Sequence, residues 1–320
     1  MLKRSMFLAA SAAATATVAF PTFARAAEDF AIPVAGGNLY GTLELPRAAT
    51  PPPVVLIIAG SGPTDRDGNN PITGPNNAYK EIAAGLAARG IASLRYDKRG
   101  IAASKALRGD QHDLHFDMYV DDAVAIVAQL HADRRVGKIT IAGHSEGSLI
   151  GMIAAARGNV ASYVSLAGVG RPAETVILEQ VARQMGPDDV TALKTIFDKI
   201  VLGQVVADVP AKFATLADPS LQPYLKSWFA YDPTVEIAKL RIPIAIVQGL
   251  TDLQVTALDA RLLAKAAPTA KLMLVPHMNH VLKDTDAATI VEQLPVYRDP
   301  TLPLDAAVVD AIAASATAAT

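Results

Sequence analysis

The chain contains no cysteine. That excludes a disulfide framework and a lipid-modified cysteine, and an exported protein of 320 residues has a core large enough to do without either. Runs of like charge are missing too. The 29 Lys and Arg and 31 Asp and Glu are mixed along the sequence, with a formal net charge of −2. No basic stripe suits a nucleic acid, and no charged block marks a disordered tail. No group of His, Asp and Glu has metal-ligand spacing. The glycine-bearing stretch AGSGPTDRDGNN, residues 59–70, lacks both G-x-G-x-x-G and G-x-x-x-x-G-K-[ST], so a nucleotide-phosphate reading has no support. Nothing in the sequence calls for a cofactor.

A long apolar run is also lacking. The stretch Met6–Phe20 is uncharged but alanine-rich, and short for a span of about 20 residues. Lys3 and Arg4 precede it, and Ala24-Arg25-Ala26 follows as an A-x-A cleavage site. This is the layout of a secretory signal peptide over residues 1–26, with an uncleaved anchor as the alternative. It predicts export to a periplasm or out of the cell, with cleavage near Ala26 and no stable membrane insertion afterwards.

What the mature chain does have is a rhythm. FAIPVAGGNLYGTLELP reads as two strands about Gly36-Gly37. Apolar runs at 54–60, 91–97, 138–143, 162–168, 242–249 and 270–276 then suit strands buried on both faces of a parallel sheet. Helical patterns alternate with the first of them, which predicts an open α/β sheet with right-handed crossovers. Between Gly170 and Arg241 no strand pattern occurs, only helical ones. The expectation is a core of residues 27–170 and 241–320 with a helical cap over 171–240; a multi-helix crossover is the alternative.

The chemistry centres on Gly143-His144-Ser145-Glu146-Gly147, a G-x-S-x-G with a strand before it and a helix-like segment after. Such a turn exposes the serine hydroxyl at the carboxyl edge of the sheet. A serine needs a base, and the base needs an orienting carboxylate. Asp252 falls just past the strand IPIAIVQG, and His277 and His280 fall just past KLMLVP. The expected triad is Ser145, Asp252 and His280. His280 is favoured over His277 because it lies further into the loop, with room to reach the serine. Asp259 and Asp232 are the rival acids, read as surface or cap residues. His144 flanks the serine and is expected to shape the site, while His112, His115 and His131 precede it in loop or helix-surface segments. The oxyanion donors are expected from the backbone N–H of Glu146 and from Ser61 or Gly62. Asp65, Arg66 and Asp67 read as a local ion-pair network, with substrate contact by Arg66 as the sharper alternative. Trp228, Phe229 and Tyr231 are candidate walls of an acyl pocket, or cap core.

These pieces, IIAGSGPTDRDGNN, LRYDKRGIAAS, IAGHSEGSLI, IVQGLTDLQV and MNHVLK, resemble the α/β-hydrolase superfamily, most closely esterases and serine-aminopeptidase-like hydrolases of the S33 type. The resemblance runs from about residue 54 to 283. It implies the α/β-hydrolase fold, a mostly parallel central sheet flanked by helices, and assigns Ser145 as nucleophile, Asp252 as acid and His280 as base. The oxyanion donors map to Ser61 and Glu146, and Asp97 and Arg99 of YDKRG to a structural loop. Two positions depart from many relatives: Ala59 stands where a histidine is common, and Ser148 where another glycine is. The implied activity is hydrolysis of small-molecule acyl esters with short or medium chains, without a metal or cofactor. Amide or peptide hydrolysis is the alternative, and a non-catalytic binding protein on a hydrolase scaffold is a third reading. Dehalogenation would need a carboxylate where Ser145 stands.

Overall fold

The structure, a computed structural model, describes residues 25–318; the signal-peptide reading falls almost wholly outside them. A hairpin opens the described chain. β1 (Arg25–Val34) pairs antiparallel with β2 (Gly37–Pro46) through a turn at Ala35–Gly36, one residue earlier than the glycine pair suggests.

The apolar runs then become β3 (Val54–Ile58), β4 (Ala92–Tyr96), β5 (Ile139–His144), β6 (Ser162–Leu166), β7 (Ile244–Gly249) and β8 (Lys271–Val275). The sheet has eight strands in the order β1-β2-β4-β3-β5-β6-β7-β8. β2 runs antiparallel to β4, and from β4 to β8 every pairing is parallel. β3 to β7 are buried along their whole length, as their unbroken apolar composition requires. β8 departs from that expectation. Lys271, Leu272 and Met273 are exposed, because β8 is the edge strand with one neighbour only.

Helices cover both faces. α1 (Ala78–Ala87) lies on one face, where it packs with the C-terminal helix described below; α2 (Phe116–Ala132) and α3 (Glu146–Arg157) lie on the other. The stretch between β6 and β7 is helical as the pattern predicts: α4 (Ala173–Ala182), α5 (Pro187–Val201), α6 (Ala214–Ala217), α7 (Gln222–Phe229) and α8 (Pro233–Ala238). α8 packs on α3 and on α9 (Ala257–Ala266), at the flank of the sheet. α4 packs on α5 and α7, and α7 also packs on α2. After β8 come α10 (Ile290–Tyr297) and α11 (Ala306–Ala318); α11 closes the first face against α1, β6 and β7.

Candidate active site

Ser145 sits between β5 and α3 with φ 55° and ψ −121°, a conformation an L-residue rarely adopts. Its N–H is fixed by the carbonyl of Leu166 in the next strand, at 2.9 Å. The flanking glycines have a steric reason. A Cβ on Gly143 would fall inside 3.0 Å of the Gly147 carbonyl, and one on Gly147 inside 3.0 Å of the Ile58 and Ala59 carbonyls. Only glycine lets the elbow nest against the end of β3. Ser148, where relatives often carry glycine, fits because its hydroxyl bonds Tyr163 and Ser165 at 2.7 and 2.8 Å.

Asp252 lies in the loop after β7 and His280 in the loop after β8. His280 Nδ1 meets Asp252 Oδ2 at 2.8 Å, with both residues buried. The carboxylate is itself held. Oδ1 accepts from the amides of Gln254 and Val255 at 2.8 and 2.9 Å, and Oδ2 also accepts from Gln248 Nε2 at 3.2 Å. Ser145 and His280 line one cavity. Among the described residues neither the Ser145 hydroxyl nor His280 Nε2 makes a hydrogen bond. Bonds of this kind often tighten only when substrate fills the space.

His144 also lines that space, but both of its ring nitrogens are already bonded. A carbonyl can only accept, so the 2.8 Å bond to the His280 carbonyl puts the proton on Nε2. Nδ1 then accepts from the Tyr79 hydroxyl at 2.8 Å, and that hydroxyl accepts from the Gly60 amide at 3.1 Å. Burial, helped by the charge of His280, lowers the His144 pKa from 6.5 to about 3. The folded protein therefore keeps His144 neutral where the unfolded chain takes up a proton. Stability is fully expressed above about pH 6.5, and this contribution declines toward pH 3 by about 1.4 kcal/mol per pH unit. Urea unfolding at pH 7, 6 and 5 should therefore show a steeper loss for the wild type than for His144→Gln. Equal slopes would contradict a buried neutral imidazole.

Ser61 and Gly62 are exposed at the start of the loop after β3, and Glu146 opens α3; among the described residues none of their amides is bonded to a protein acceptor. Two cavities meet at Ser145. The larger, about 530 Å³, is lined by Ser61, Gly62 and Glu146, by an apolar wall that includes Val176, Ile177, Leu225 and Trp228, and at other points by Arg108, Gln111 and Gln180. The smaller, about 230 Å³, holds His280 and the polar Thr64, Asn70, Thr73 and Asn76.

A family model described as "Serine aminopeptidase, S33" matches residues 75–200, which contain the Ser145 elbow. Est1E from Butyrivibrio proteoclasticus superposes with a TM-score of 0.57 at 17% identity, over 91% of this chain and 98% of that one. The chain has the α/β-hydrolase fold. A second solved structure, a 2,6-dihydroxy-pseudo-oxynicotine hydrolase, gives a TM-score of 0.56 at 15% identity, over 91% of this chain and 68% of that one. Esterase EstD of Thermotoga maritima is 28% identical over 252 residues, 77% of this chain. The chain spans 58% of that relative's length.

Within this fold the structure decides between several sequence expectations. Arg66 does not line either cavity. Its guanidinium is committed to Asp97 at 3.0–3.1 Å and to Thr42 at 3.2 Å. Nor is its network local: Asp67 pairs with Arg95 at 2.8 Å, so the loop is fastened to β4 and its end, while Asp65 accepts from the amides of Asp67 and Asn69. Of the three aromatics, Trp228 alone lines the larger cavity, stacked on Phe116 at 6.1 Å. Phe229 packs on Phe197 in the interior, and the Tyr231 hydroxyl bonds Asp117. The rival acids are employed elsewhere. Asp259 pairs with Arg171 at 2.9 Å and caps α9, and Asp232 caps α8. His277 is exposed and meets Asp286 at 2.5 Å. Arg99 pairs with buried Asp122 at 2.6 Å. Sequence reasoning missed Tyr79, Lys98, Tyr224 and Gln248, whose partners are distant in the chain or, for Gln248, lie across a loop.

Proposed function

We propose that this chain hydrolyses carboxylic esters through an acyl-enzyme on Ser145. The observation that carries the reading is the meeting of three things at one sheet edge: an elbow serine at φ 55°, a His280–Asp252 pair at 2.8 Å, and two cavities of unequal size that share the serine. Ser145 Oγ bonds to the acyl carbon as His280 Nε2 takes its proton. The carbonyl oxygen, now negative, is met by the amides of Ser61 or Gly62 and of Glu146. His280 then returns the proton to the leaving alcohol as the ester C–O bond breaks. Water attacks the acyl-enzyme by the same route and releases the acid.

The cavities divide the substrate. The leaving alcohol must lie beside His280, which lines only the smaller cavity. The acyl chain is left the larger one, whose apolar wall of Val169, Val176, Ile177, Leu216, Leu225 and Trp228 is capped by α4, α7 and the segment between them. An aminopeptidase would have to neutralise an α-ammonium. Among the described residues the only carboxylate lining either cavity is that of Glu146, already paired with Lys98. This favours esters over aminoacyl amides. Residues 1–26 add the proposal that the enzyme works outside the cytoplasm.

A series of p-nitrophenyl esters from acetate to palmitate tests the reading. Each methylene that packs on the apolar wall of the larger cavity contributes about 0.8 kcal/mol, about fourfold in kcat/KM. The rate should rise through the short and medium chains and fall once the cavity is full. Trp228 is the chain's sole tryptophan, so its emission should shift as acyl chains enter. A flat series, or faster turnover of aminoacyl anilides, would contradict it.

A further inference from the structure

Lys98, in the loop after β4, has its side chain buried at 2% exposure. An ammonium has three N–H donors, and three groups surround this one. They are the Gly60 carbonyl at 2.6 Å, the Glu146 carboxylate at 2.6 Å, and the face of Tyr119, whose centroid is 5.0 Å away. The second Glu146 oxygen accepts from the Tyr224 hydroxyl on α7.

The Gly60 carbonyl belongs to the same peptide group as the Ser61 N–H. Among the described residues no peptide is cis, so the two dipoles point in opposite directions across one plane. A cation on the carbonyl fixes that plane, and so fixes the direction of the Ser61 N–H. It also polarises the peptide toward stronger donation. The amide on the other side of Gly60 is held by Tyr79. Gly60 itself is packed against the nucleophile, since a Cβ there would sit 3.2 Å from the Ser145 Cβ. The opposite end of the ion pair is the side chain of Glu146, whose own amide is the second candidate donor.

We propose that Lys98 is a positioning residue of the oxyanion hole, holding the peptide that presents the Ser61 N–H and tying it to the segment that presents the Glu146 N–H. The assignment rests on the ester-hydrolase reading above. It differs from a plain structural ion pair in what it predicts. A group that aims a donor at developing charge acts on the transition state and not on bound substrate.

Lys98→Met would leave the Glu146 carboxylate buried without its cation, so Lys98→Met/Glu146→Gln is made beside it, with both charges removed and the backbone amide kept. Rates are expressed per site labelled by a fluorophosphonate, which corrects for any unfolded fraction. Removing an oxyanion donor outright costs about 10²–10³ in kcat. Misaiming one should lower kcat of the folded double variant about 10- to 100-fold, with KM within about threefold. The inhibition constant for an acyl trifluoromethyl ketone, which builds an oxyanion in the site, should rise by the factor that kcat/KM falls. A kcat within about threefold of wild type, or a loss confined to KM, overturns the assignment. Wild-type labelling separates the two levels: a labelled wild type with an unimpaired variant sinks only the role of Lys98, whereas an unlabelled wild type sinks the ester-hydrolase reading.

Discussion

Ser145→Ala should lower kcat for a short p-nitrophenyl ester by about 10⁴- to 10⁶-fold, the range seen when a nucleophile is removed from a working triad. No neighbour is placed to substitute. Ser148 is buried and bonded to Tyr163 and Ser165, and Ser61 lies in the exposed loop after β3 and not at the elbow. The fold should survive, because alanine meets the same φ of 55° as serine and the Ser145 hydroxyl holds nothing together among the described residues. Melting temperature and near-UV circular dichroism should therefore match the wild type while turnover disappears. A variant with a wild-type melt and retained turnover would remove Ser145 from the mechanism.

Asp252→Asn should cost about 10⁴-fold in kcat at neutral pH. The size follows from the hydrogen bonds already on the carboxylate. Oδ1 accepts from two backbone amides, Gln254 and Val255, so an asparagine must keep its oxygen there. Its NH₂ then replaces Oδ2, facing His280 Nδ1 and Gln248 Nε2. The NH₂ donates to Nδ1 and drives the imidazole proton onto Nε2, the nitrogen that must accept from Ser145. It also meets the Gln248 amide donor head-on. Steady-state kinetics on the folded variant decide the matter, and a loss smaller than tenfold would mean that Asp252 does not set the tautomer of His280.

Much of this arrangement is legible in the residues alone, for a physical reason. Parallel strands buried on both faces must be apolar throughout, so β3 to β7 declare themselves. Side chains at the carboxyl ends of such strands must share one edge, which is why Ser145, Asp252 and His280 could be grouped despite their separation. The elbow is legible because two close approaches demand glycine at 143 and 147. The parts that were missed depend on contacts no local pattern encodes. Lys98 reads as one more charge in YDKRG, yet it spans 38 residues to Gly60 and 48 to Glu146. Arg66 looks free for substrate until Asp97 is seen 31 residues away. Trp228, Phe229 and Tyr231 are near neighbours in sequence, but α7 ends among them and only the first turns toward the cavity. β8 carries a core-like composition and still lies at the edge, because strand order is a property of the whole sheet.

The most direct measurement is a crystal structure of the protein after reaction with an alkyl fluorophosphonate. Phosphorus should be bonded to Oγ at 145, with the phosphonyl oxygen against the amides of 61 or 62 and 146, the alkyl group beside Trp228, and the 280 imidazole within hydrogen-bond reach. A phosphonate attached elsewhere, or one whose oxygen faces away from those amides, would contradict the account.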